Sequence, residues 1–141
     1  MKKNLFKAAA IFTFVLCLIT LVGCKKEPEA KVNYSKEPYV ISDYLFGYSN
    51  KGEVTIDGVK VELRDRDSID LTIFISIDMD SCDFADTVGV ELVDQNGTVI
   101  ASDSVYLKIE EHDWGYYDSD EIKFICVPDG EFTYTVRFKT E

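Results

Sequence analysis

Histidine and tryptophan each occur once in this chain, methionine twice and proline three times. With His112 alone there is no imidazole pair for a zinc site, and the four cysteines lack the close spacing such sites use. No G-x-S-x-G, no H-E-x-x-H and no phosphate-cradling glycine loop occurs, so no motif marks an enzyme and none calls for a cofactor. Cations are scarce: 15 Lys and Arg stand against 26 Asp and Glu, a formal charge of −11. A field of that sign repels phosphate backbones, which argues against nucleic acid as a partner and against polybasic contact with anionic lipid. Also missing is any stretch in which apolar residues recur at helical spacing over three turns.

What is present begins with a short basic start, Lys2 and Lys3, followed by residues 8–22, apolar apart from Thr13 and Thr20. This is the build of a secretory signal peptide and is short for a transmembrane helix. It ends in Leu21-Val22-Gly23-Cys24, which resembles the lipobox of bacterial lipoproteins: an aliphatic residue, a small or aliphatic one, Gly or Ala, then Cys. The resemblance implies diacylglyceryl transfer to the Cys24 sulfur, cleavage before Cys24 by signal peptidase II, and a mature protein held to a membrane outside the cytoplasm. Two or more acyl chains anchor a protein stably, whereas one does so only marginally. Loss of residues 1–23, with three lysines and no acid, takes the formal charge to −14. Residues 24–38 carry two prolines and seven charges between 25 and 38, and are expected to form a flexible tether.

From 39 to 141 the apolar pattern has period two, punctuated by turn residues. Ile69, Leu71, Ile73, Ile75 and Ile77 mark a central strand. Phe132, Tyr134, Val136 and Phe138 mark the last. Val54 and Ile56 lead through an Asp57-Gly58 turn or bulge to Val59, Val61 and Leu63. Val88, Val90 and Leu92 run into Asp94-Gln95-Asn96-Gly97, and Val99, Ala101, Val105 and Leu107 follow, a hairpin closed by a glycine-bearing turn. A bulge near Ser102 to Ser104 is expected to turn Asp103 outward, because a buried unpaired carboxylate costs several kcal/mol. Ile122, Phe124 and Cys126 share a face before Pro128-Asp129-Gly130. With a strand from Tyr39 to Phe46, about seven strands result. The fold expected is therefore all-β: an antiparallel immunoglobulin-like β-sandwich, with a small barrel or jelly roll as the alternative. Asp113-Trp114-Gly115-Tyr116-Tyr117 resembles the tyrosine corner of immunoglobulin domains, with Ser119 where their cysteine stands.

Cys82 and Cys126 remain after processing and either bridge or stay as separate thiols, Cys126 packed in the core. Asp78, Asp80, Asp83 and Asp86 crowd nine residues, an oxygen-rich set of the kind that holds calcium, though without the glycine and closing glutamate of an EF-hand loop. Trp114, Tyr116 and Tyr117 fall in a polar connection from Glu110 to Asp118. There they either stack on a sugar or anchor a protein partner, or fold back as a lid on the core. The expectation is a non-enzymatic, lipid-anchored envelope protein that binds a cell-surface protein or glycan. The alternative is a metal-ion or small-solute binder working through acidic loops.

Overall fold

The computed structural model describes residues 26–45, 48–79, 84–112 and 115–140, and side chains within 26–41, 52–78, 86–108 and 118–140. Eight strands follow in order: β1 (Lys31–Tyr34), β2 (Tyr39–Leu45), β3 (Tyr48–Leu63), β4 (Ser68–Met79), β5 (Phe84–Val93), β6 (Val99–His112), β7 (Gly115–Pro128) and β8 (Thr133–Phe138). No helix occurs among the described residues. The expected all-β sandwich is met, with four strands in each sheet, β1-β8-β5-β6 and β7-β4-β3-β2. The sheets join because β6 changes sides. Its first part pairs with β5, and its last residues, Glu110 to His112, pair with β7. A strand of 14 residues with the usual right-handed twist turns far enough to do this.

The strand order goes beyond what the period-two pattern specified. The last strand, β8, pairs with β5, whereas in an immunoglobulin domain it joins the sheet of its predecessor. The likeness to those domains thus extends to two packed sheets and stops at their connectivity. All pairs are antiparallel except β1 with β8. That parallel pair also corrects the tether expected for residues 24–38. Lys31–Tyr34 is an ordered strand, its Lys31 N–H donating to Phe132 O and the Ser35 N–H to Val136 O, each at 2.9 Å. Only Val32 and Tyr34 alternate inward, too short a run to stand out in a charged segment.

β4 lies between β3 and β7, as the run of isoleucines predicted. Ile69, Leu71, Ile73 and Ile75 are fully buried, each contributing roughly 2 kcal/mol relative to exposure. Val90, Leu92, Leu107 and Val136 meet them from the other sheet. Glu91 is buried, and it accepts from Arg137 Nε at 3.0 Å across the β5–β8 pair. The Asp94–Thr98 turn closes as expected. The Asp94 carboxylate accepts from the Asn96 and Thr98 N–H groups, and Gly97 takes φ +82°, a region L residues resist.

Three bulges set the registers. The one at Asp57-Gly58 stands where expected, inside a single long strand, β3. The β5–β6 bulge lies at Ile100, skipped between the Val93–Val99 and Leu92–Ala101 pairs, and not at Ser102 to Ser104. Asp103 stays in register opposite Val90 and is exposed because β6 is an edge strand there. In β7, Ile125 and Cys126 together face Asp70 of β4. This flips the alternation, burying Val127 and exposing Cys126, so Cys126 does not share the core face with Ile122 and Phe124.

The sandwich has two ends. Leu63 and Ser68, Val93 and Val99, and Pro128 and Thr133 bound turns at one, where Lys31 also enters. Leu45 and Tyr48, Met79 and Phe84, and His112 and Gly115 lie at the other.

Candidate functional site

Beyond the last residues of their shared hairpin, β6 and β7 part to follow separate sheets. At the fork Asp118 Oδ2 accepts from the Lys108 N–H at 2.9 Å, replacing the strand carbonyl that would continue the ladder. From there the strands diverge toward the N-terminal end and leave a groove of about 460 Å³ between the sheets. Ile100 and Ala101 form one wall, Ile125 to Pro128 the other, and Phe132 and Tyr134 the floor, with the Asp94–Asn96 turn at the mouth.

Each wall follows from a local irregularity. The β5–β6 bulge takes Ile100 out of the core alternation, and in β7 the outward Ile125 is followed by a bulge that turns Cys126 outward beside it. Phe132, expected inside β8, instead precedes the strand, its N–H turned back to Gly130 O at 2.7 Å, and its ring stays exposed. Ile100, Ile125 and Phe132 are 42 %, 62 % and 39 % exposed. Three of the seven exposed large hydrophobics among the described side chains thus line one groove, which makes it an apolar surface feature and not scattered exposure.

Several polar groups around it are already engaged: Gln95 Oε1 accepts from the Thr133 N–H at 3.0 Å, and the Asp94 carboxylate closes its own turn. Tyr134 donates its hydroxyl to Pro128 O at 2.7 Å, and burial, then the charges of Asp129 and Asp94, raise its pKa above the ordinary value. Cys126 sits at φ +58°, its N–H held by Asp70 Oδ1 at 3.0 Å, and Asp70 in turn pairs with Arg64 at 3.0 Å. The groove is suited to apolar contact.

Next to it the chain enters the fold. Asp129 Oδ1 accepts from the Glu29 and Ala30 N–H groups, each at 2.9 Å, and Lys26 Nζ lies 3.9 Å from Oδ2 and donates to Arg66 O at 2.7 Å. Burial of Asp129 acts to raise its pKa, but the N–H groups of Ala30, Gly130 and Glu29 and the Lys26 charge outweigh it and hold the carboxyl below the usual range.

The expected site residues fare differently. Cys24, Cys82, Asp80, Asp83 and Trp114 lie outside the described residues. Asp78 and Asp86 are exposed on different sheets, and among the described residues no group of three His, Cys, Asp or Glu side chains is placed to hold a metal ion. Where a polar connection was expected from Glu110 to Asp118, residues 110–112 and 115–118 are strand: Tyr116 and Tyr117 belong to β7, paired with Glu111 and Glu110, and their side chains lie outside the described set. Of the expected Cys82–Cys126 pair only Cys126 is described: an exposed free thiol level with Asp70, nine residues along β4 from Met79. Sequence reasoning missed the groove because its residues carry the same apolar signal as the core; only the bulges separate them. The chain matches no family model, no curated protein and no solved structure.

Proposed function

We propose that the chain is the precursor of a bacterial lipoprotein, anchored through lipid on Cys24 outside the cytoplasm, whose sandwich acts by contact and not by catalysis. The observation that carries this reading is Leu21-Val22-Gly23-Cys24 at the end of an apolar stretch with a basic start. The chain enters the sandwich at Lys26 to Lys31, so the domain follows the cysteine almost directly. The end where His112 and Gly115 flank Trp114 is then the surface offered to a cell-surface protein or glycan.

Intact mass of protein extracted from membranes of its native host tests the anchor. A mass of residues 24–141 plus acyl chains, lost in Cys24→Ser, is expected. Unacylated full-length protein would overturn the reading, and residues 8–22 would then be a membrane anchor in their own right.

The second reading, an extracytoplasmic binder of a metal ion or small solute, rests on Asp78, Asp80, Asp83 and Asp86. It predicts a melting temperature that rises with calcium, since a ligand of the folded state stabilises by mass action. An unchanged Tm in millimolar calcium removes it.

A further inference from the structure

We infer that the protein lies against the bilayer with its groove end down, Ile100, Ile125 and Phe132 in contact with lipid; this rests on the lipid-anchor reading above. What points to this is where the chain enters the fold. Lys26 is pinned to the turns of the groove end through Arg66 O and Asp129, and two residues span at most about 7 Å. Cys24 therefore stays at that end, and with β1 docked there is no tether of 14 residues to hold the domain away. An anchored end that also exposes large apolar side chains around an open groove meets the acyl boundary with surface suited to it.

Acylated protein reconstituted into phosphatidylcholine and phosphatidylglycerol vesicles with brominated acyl chains tests this. One sample carries a fluorophore on Cys126 in a Cys82→Ser background. The other carries it on Asp78→Cys with both Cys82 and Cys126 changed to Ser. Bromolipid is expected to quench the Cys126 probe severalfold more than the Asp78 probe. Adding I100D and I125D, both at exposed positions, should bring the Cys126 probe down to the Asp78 level while the acylated mass is unchanged. Equal, weak quenching at both positions in acylated protein overturns the orientation and leaves the anchor standing. Quenching at Cys126 that survives I100D and I125D overturns the apolar contact, since the lipid alone would then bring that end close. A mass without acyl chains overturns the anchor and the orientation with it.

Discussion

At the scale of single residues, Asp129 holds the entry of the chain. Its folded pKa is below the ordinary 3.8, so the ionised form is favoured in the folded state. The stabilisation is complete above about pH 4 and is lost as pH falls through the depressed folded value. Asp129→Asn should cost roughly 1–2 kcal/mol at neutral pH, seen as a Tm several degrees lower. The gap to the unaltered protein should close toward pH 2, and a gap that stays constant across that range would refute the role. Cys126 gives a second test. Its φ of +58° costs an L residue roughly 1–2 kcal/mol and a β-branched one more. Cys126→Val should therefore melt below Cys126→Gly, and the opposite order would contradict the left-handed bulge.

At the scale of elements, β1 is the strand that composition concealed. Its parallel ladder predicts that the Lys31 and Ser35 amides, bonded to Phe132 O and Val136 O, exchange at least roughly tenfold slower than in an unstructured peptide. Peptide-like exchange would restore the tether. The strands legible beforehand were those with four or five apolar residues at period two, β4 above all, because alternation over that length has no other low-energy reading. β1 has two such residues. The far parts of β6 and β7 were read as a polar connection because Glu110, Glu111 and Asp118 interrupt the pattern, yet backbone pairing across a tight hairpin carried the strands through.

At the scale of the whole molecule, Cys126 stands as an exposed free thiol level with Asp70 of β4. Alkylation of the denatured, unreduced protein should therefore modify Cys126 fully, and prior reduction should add nothing at that position. A reductant-dependent gain at Cys126 would mean that it is bridged. The lengthwise run of the strands separates the His112–Gly115 end from the groove end, so the two proposed contacts, partner and membrane, occupy opposite surfaces.

The period of apolar residues and the placement of Gly97 and Gly58 determined by themselves that the described residues are all-β, because side-chain alternation and turn chemistry are local properties. The resemblance of Leu21-Val22-Gly23-Cys24 to a lipobox, on which the proposed anchor rests, is likewise readable from a few adjacent residues. Strand order, the parallel β1–β8 pair and the groove were decided only in three dimensions. They depend on which edges meet and on single-residue bulges at Ile100 and Cys126, each of which reverses the face of the residues beyond it. An apolar residue at such a position has the same hydropathy whether it ends in the core or at the rim, and only its neighbours across the sheets settle which.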